Sequence, residues 1–282
     1  TTLFRSDEAT GALQSSGLGF VLPDFNYSVI SLTLQNVVGP YGNARVDRIT
    51  TPAVSLRRQL LDKPPVLIVP GVLGTELVKD GSIIWPDIVK TVLSPSDKFL
   101  EPIKYTQELK PVDNSVKIGN VITGPIFGQH VYDLLINKLQ SQGYEMDKNL
   151  FLLPYDWRDG LSQDNVEILK NKIDQIIDLT GSQKVDVVAH SMGGLLVKKY
   201  IADNISPKIR KLVFVGVPHG GSVKALKTLM VGDQLGIPGF NQETVRDLVV
   251  NFPVMYDLLP NQKYLSYYGP YYNLIRYSDL QT

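Results

Sequence analysis

The residues best equipped for chemistry in this chain lie in one short stretch, "VDVVAHSMGG", Val185 to Gly194. Ser191 is flanked two positions away by the small residues Ala189 and Gly193, a variant of the G-x-S-x-G pattern. That pattern marks a sharp strand-to-helix turn that lifts a serine above a sheet in strained backbone. The apolar run before Ser191 predicts the strand, and "GGLLVKKYIADN" predicts the helix. A helix-capping serine in a Gly-rich turn is the bland alternative, and the flanking strand and helix favour a nucleophile. The helix N-terminus then places backbone amides and a favourable dipole beside it.

A serine hydroxyl is a weak nucleophile and needs donors for the oxyanion that forms when it attacks a carbonyl. The amide after the nucleophile, Met192, is one expected donor. The second comes from a loop after an earlier strand, and "VPGVLGTEL" provides one: Gly71 and Gly74 let the backbone turn, and Val72 is the expected donor. A plain tight turn is the alternative reading of this loop.

These groups need a scaffold that brings two strand ends together. From Pro65 onward, strand patterns ("VLIVPG", "NLFLLPYDW", "KVDVVAH", "KLVFVGVP") alternate with helical ones ("HVYDLLINKLQSQG", "DNVEILKNKIDQIIDLTG", "GGLLVKKYIADN"). This order predicts an α/β fold with a doubly wound, mostly parallel sheet. Residues 1–58 differ in texture: short alternating runs punctuated by Gly, Pro and Asn read as a β-rich segment, the end of an upstream β module. Residues 59–282 then form the α/β core. The remainder from about residue 222 reads as the start of a cap, with a helix at "NQETVRDLVV", a Pro-bounded turn and a tyrosine-rich tail. That tail offers an apolar, wet-edged surface for a lipid or a partner, although packing explains it equally well.

Composition narrows the chemistry. Lys plus Arg and Asp plus Glu both total 28, so no net field points to nucleic acid. The chain has no cysteine and three scattered histidines, which offers neither a thiol nor a ligand cluster, and no metal is expected. "PGVLGTE" lacks the Lys-Ser/Thr of a P-loop and the spacing of a dinucleotide fingerprint, so no cofactor is expected. No apolar run approaches the roughly 18 residues of a membrane-spanning helix. An opening without Met or signal-peptide features reads as a fragment or a processed chain.

Five separated motifs in order, "VPGVLGTEL", "PYDWRDG", "VVAHSMGG", "VGVPHGGS" and "FPVMYDLLPNQKYL", make the chain from Pro65 to Tyr264 resemble the lecithin:cholesterol acyltransferase family of α/β-hydrolases. The resemblance implies a hydrolase core with a cap inserted after the sixth strand. It also implies cleavage of a lipid ester through an acyl-serine, followed by transfer to water or to an alcohol acceptor. Ser191 becomes the nucleophile, with Val72 and Met192 as oxyanion donors. "PYDWR" places Tyr155, Asp156, Trp157 and Arg158 at a strand end beside the acyl pocket. Asp156 and Arg158 are expected to form a structural ion pair in preference to a substrate contact. Trp157 and Trp85 are expected to serve as core or rim packing in preference to lining an acyl site. His219 matches a site-lining position that Trp or His fills in the family.

The base is the unsolved element. His190 sits where the side chain ordinarily points away into packing, His219 is a weak surrogate, and His130 reads as a helix cap or a surface residue. In α/β-hydrolases the acid and the histidine follow the serine on late loops. Only "KLVFVGV" follows here, so the acid, the histidine and two strands are expected beyond Thr282. A peripheral contact with a lipid surface suits the enzyme reading. A catalytically inactive hydrolase-fold module used for binding or adhesion is the competing one.

Overall fold

A computed structural model describes residues 38–39, 42–43, 63–93, 97–125, 130–233 and 241–266. The chain divides into two compact units, Thr1–Lys63 and Pro64–Thr282. In the first unit, strands β1 (Val38–Gly39) and β2 (Gly42–Asn43) pair antiparallel. The other strand patterns expected within residues 1–58, and the tyrosine-rich tail after residue 266, lie outside the described residues.

The second unit is built on an all-parallel sheet of β3 (Val66–Val69), β7 (Leu150–Leu152), β8 (Val185–His190) and β9 (Ile209–Val215), in the spatial order β7-β3-β8-β9. All four residues of β3 are buried, as an apolar run covered on both faces must be. β7 is shorter than "NLFLLPYDW" suggests, because Pro154 has no N–H to continue a ladder. The α/β fold with a mostly parallel sheet expected from the sequence is therefore the observed one.

Helix α2 (Asp133–Ser141) precedes β7, α3 (Gln163–Thr180) links β7 to β8, and α4 (Met192–Asp203) links β8 to β9. In α3, Val166, Leu169, Ile173 and Ile176 recur at helical spacing and are buried. Ser162 caps its first turn by accepting the Asn165 N–H at 3.2 Å. Gly181, in left-handed backbone, closes its last.

Inserted between β3 and β7 is a separate antiparallel sheet, β5-β4-β6, formed by Thr75–Lys79 (β4), Ser82–Trp85 (β5) and Lys117–Val121 (β6). Helix α1 (Ile88–Leu93) and a 3₁₀ helix (Asp97–Ile103) lie between β5 and β6. Asp80 and Gly81 turn the β4–β5 hairpin with φ of 49° and 76°, the geometry of a two-residue type I′ loop. After β9 come α5 (Val223–Val231), α6 (Gln242–Val249) and α7 (Pro253–Asp257). The last is a correction: the Pro-bounded turn is a short helix, because Pro253 at its first position has the preset φ a helix start needs.

The strand order sets where a ligand can bind. From β3 the chain moves outward to β7, then returns past β3 to β8 on the other side. This reversal makes the gap between the carboxyl ends of β3 and β8 a topological switch point, where open α/β sheets bind ligands.

Candidate active site

Two loops meet at that switch point. Ser191 follows β8 directly with φ 51° and ψ −128°, a conformation that L-residues rarely hold. Its backbone is tied down on both sides: its N–H donates to the Val215 carbonyl at 2.9 Å, and its carbonyl accepts the Gly194 N–H at 3.0 Å. The flanking glycines are sterically required. A Cβ on Gly193 would stand 2.3 Å from the Pro70 carbonyl oxygen and 2.8 Å from that of Val69. One on Gly194 would stand 2.2 Å from Val217 Cγ2. The turn therefore accepts no side chain at either position.

The loop after β3 packs on the serine itself. A Cβ on Gly71 would meet Ser191 Cβ at 2.8 Å and Ser191 Oγ at 3.3 Å, so only glycine lets this backbone pass so close. The loop turns through a Gly74 N–H bond to the Gly71 carbonyl, with Leu73 in left-handed backbone. The Trp85 indole N–H donates to the Leu73 carbonyl at 3.0 Å. Val72 follows Gly71 in this loop, and Met192 opens α4. Among the described residues, neither amide donates a hydrogen bond to a protein acceptor.

The three histidines fall in three different environments. His190 turns its ring to Tyr132 and makes no hydrogen bond to Ser191. Its Nδ1 lies 2.9 Å from the Tyr132 hydroxyl, and its ring meets the Tyr132 ring edge-on. The reason is the bare Gly71, whose missing Cβ leaves Nδ1 room beside the loop. His130 is no cap: helix α2 begins at Asp133, behind Tyr132, and His130 is an exposed residue whose Nδ1 lies 2.6 Å from Asp133. His219 stacks edge-on against Phe214, with its Nδ1 3.4 Å from Lys198 Nζ. Among the described residues, no histidine makes a hydrogen bond to Ser191 Oγ.

Although His190 as a residue is exposed, partial desolvation of its ring beside Tyr132 holds it below the ordinary histidine pKa. Burial does the same for His219, reinforced by the charge of Lys198. A base with a lowered folded-state pKa is more protonated in the unfolded chain. Stability therefore rises with pH up to the ordinary value of about 6.5 and is lost as pH falls below it. Asparagine at position 190 keeps an acceptor near Nδ1 and does not titrate. Melting temperatures measured across mildly acidic pH should fall less steeply for His190→Asn than for the parent chain. Equal slopes would mean that His190 is not the group responsible.

The "PYDWR" segment is a brace beside the loop after β3. Tyr155 is buried and donates its hydroxyl to the Pro70 carbonyl at 2.7 Å. The Trp157 indole donates to the Thr75 carbonyl at 3.0 Å, and its ring meets Trp85 and Phe252 edge-on. Arg158 grips Asp156 with two bonds, Nε to Oδ1 at 2.9 Å and an NH2 nitrogen to Oδ2 at 2.6 Å. Its third guanidinium nitrogen donates to the Ile103 carbonyl. With Arg158 only 2% exposed, the pair sits inside the protein as a loop lock.

Tyr132 was not singled out by sequence reasoning, although its hydroxyl reaches both the loop and His190. Its placement just before α2, next to an apolar helical pattern, reads as ordinary core, and only the fold brings it to the serine.

Comparison with known proteins shows what the chain is similar to. A family model described as lecithin:cholesterol acyltransferase matches residues 119–268. Phosphatidylcholine-sterol acyltransferase of Gallus gallus is 33% identical over an alignment of 225 positions that covers 65% of this chain and 53% of that protein. Lysosomal phospholipase A and acyltransferase of Bos taurus is 27% identical, over 65% of this chain and 54% of that protein. Phospholipase A(1) LCAT3 of Arabidopsis thaliana is 25% identical, over 72% and 53% respectively. The chain thus spans about half the length of the curated relatives it matches. Among solved structures, a chain of the Tle4–Tli4 complex aligns with a TM-score of 0.45 and 17% identity, covering 71% of this chain and 55% of that one.

Proposed function

This chain belongs to the lecithin:cholesterol acyltransferase family, and from that membership we propose that it works on lipid esters through an acyl-serine formed at Ser191. The observation that carries this reading is the strained Ser191 at the end of β8, in contact range of the bare Gly71 backbone at the switch point. The names of the relatives, which include a sterol acyltransferase and phospholipases, support a phospholipid-class ester as donor.

In this reading Ser191 Oγ attacks the ester carbonyl carbon, and the carbonyl electron pair moves onto its oxygen. The Val72 and Met192 amides hold that oxyanion. Collapse expels the alcohol and leaves the acyl group on Oγ. Attack by water then gives hydrolysis, and attack by an alcohol gives transfer. The Oγ proton passes to a general base, and no described histidine is assigned that role. Asp156, Trp157 and Arg158 support the loops without touching substrate, and His219 stands apart as a neighbour of Lys198. A cap starting near residue 222, over the α/β core of the second unit, completes the arrangement, with the lipid surface as its peripheral partner.

The test is covalent capture followed by product analysis. A fluorophosphonate should label the chain, with the adduct mapping to Ser191 by mass spectrometry. Incubation with a phospholipid should then release free fatty acid, and adding a sterol or diacylglycerol should divert it into a new ester if an alcohol resolves the acyl-serine. Absence of any adduct on Ser191 would replace this reading with that of an inactive hydrolase-fold binding module.

A further inference from the structure

The peptide unit linking Pro70 to Gly71 is gripped at both of its polar ends by tyrosine hydroxyls from two different parts of the fold. Its carbonyl accepts the Tyr155 O–H at 2.7 Å, and its N–H donates to the Tyr132 oxygen at 3.0 Å. Both tyrosines are buried. Tyr155 follows β7 and Tyr132 precedes α2, so the two residues approach from opposite ends of the α2–β7 segment. Neither bond belongs to a strand ladder or a helix, and the peptide they hold lies immediately before the one that carries the Val72 N–H.

Peptide units turn as rigid planes about the φ and ψ of the residues between them. Fixing the Pro70–Gly71 plane leaves only the two torsions of Gly71 to set the direction of the next N–H. Gly71 is the residue whose torsions would otherwise be the least restricted. Its freedom cannot be removed by adding a side chain, because a Cβ there would collide with Ser191. Restraint must therefore come from outside the residue. The Pro70 carbonyl also lies against Gly193, where a Cβ would stand only 2.3 Å from it, so the same peptide is packed against the first turn of α4.

We propose that Tyr132 and Tyr155 are positioning residues: their hydroxyls lock the Pro70–Gly71 plane and thereby aim the Val72 amide at the oxyanion. The inference rests on the acyl-serine reading of Ser191. Tyr132 has a second tie that fits the role. Its oxygen accepts the Gly71 N–H and lies 2.9 Å from His190 Nδ1, so the residue before the nucleophile and the residue before the donor amide share one hydroxyl. Burial pushes the Tyr132 hydroxyl up to about 12, which keeps it protonated and able to donate at neutral pH.

The experiment removes only the hydroxyls, in Tyr132→Phe, Tyr155→Phe and the double variant of the full chain. Three quantities are measured: the second-order rate of capture by an alkyl fluorophosphonate, kcat and KM on a soluble p-nitrophenyl ester, and the urea midpoint. Removing an oxyanion donor outright costs about 10²–10³ in kcat. Misaiming one should cost less, about 10-fold per hydroxyl and about 10²-fold for the double variant, with KM held within about 2-fold. A purely structural role would lower the urea midpoint and leave capture rate and kcat per folded molecule unchanged, and that outcome overturns the proposal. If the parent chain is captured at Ser191 and the variants are captured equally fast, the clamp falls and the acyl-serine reading stands. If the parent chain is not captured at Ser191, both fall. Hydrogen exchange at the Gly71 amide gives a separate check: it should accelerate in Tyr132→Phe, and unchanged protection would also overturn the proposal.

Discussion

Ser191→Ala is expected to abolish fluorophosphonate capture, and with it any ester turnover that passes through an acyl-serine, while leaving the fold intact. The loss of capture follows, on the acyl-serine reading, from removing the atom proposed as the acyl carrier. The unchanged fold follows from what Oγ does not do: among the described residues it makes no hydrogen bond, so its removal leaves no buried group there unsatisfied. Ser191→Gly sharpens the test. At φ 51° and ψ −128° a side chain is strained, and glycine relieves that strain, so this variant should be inactive yet more stable than the parent chain by about 1–2 kcal/mol. Urea unfolding of the three proteins checks the order. If glycine were no more stable than serine, the strain assigned to the turn would be absent. Stabilisation on losing the nucleophile is the signature of a site held in tension for function.

The same turn shows how much a sequence can reveal. Ser191, the small residues around it and the loop from Gly71 to Gly74 could be read directly, because sterics leave so few residue types admissible there. The strands β3 and β8 and helices α3 and α4 could be read for a related reason: burial on both faces demands continuous apolar runs, and burial on one face demands helical spacing. The apolar run of β9 marks a strand as well, although most of its residues are exposed. The sheet of β4, β5 and β6 went unread although "TELVKDGSIIW" carries an Asp-Gly turn between alternating residues. Its signal was local and available, and it was masked by the stronger α/β rhythm around it. Tyr132 and the ring direction of His190 are a different matter. They depend on contacts between residues 58 positions apart, and no local pattern encodes such a contact. The tyrosine hydroxyls that hold Pro70 and Gly71 come likewise from 85 and 61 positions away. Groups that act can thus be read from the sequence where backbone geometry restricts their neighbours, whereas the groups that aim them require the fold.

Arg158→Met is expected to destabilise the chain by about 3–5 kcal/mol, because it strands the Asp156 carboxylate beside an apolar side chain in a site where water gives little help. The side chains are 2% and 15% exposed, so neither charge is well solvated without the other. Methionine fills most of the volume but returns none of the bonds to Asp156 or to the Ile103 carbonyl, and it removes the cation facing the Tyr105 ring at 5.1 Å. Lysine should not rescue the loss, since it cannot form the two-pronged contact with both carboxylate oxygens. Replacing both partners, in Asp156→Leu with Arg158→Met, should recover part of the stability, because no unpaired charge is then buried. Urea unfolding of the single and double variants measures this directly, and a double variant no better than Arg158→Met would show that the pair's value lies in its bonds to the backbone. The consequence reaches the serine. Asp156 and Arg158 flank Trp157, whose indole N–H donates to the Thr75 carbonyl, and follow Tyr155, whose O–H donates to the Pro70 carbonyl, so this segment holds both ends of the Gly71 loop. A loosened ion pair should therefore slow capture at Ser191 even in molecules that remain folded. A capture rate that held steady while stability fell would confine Arg158 to the stability of its own loop.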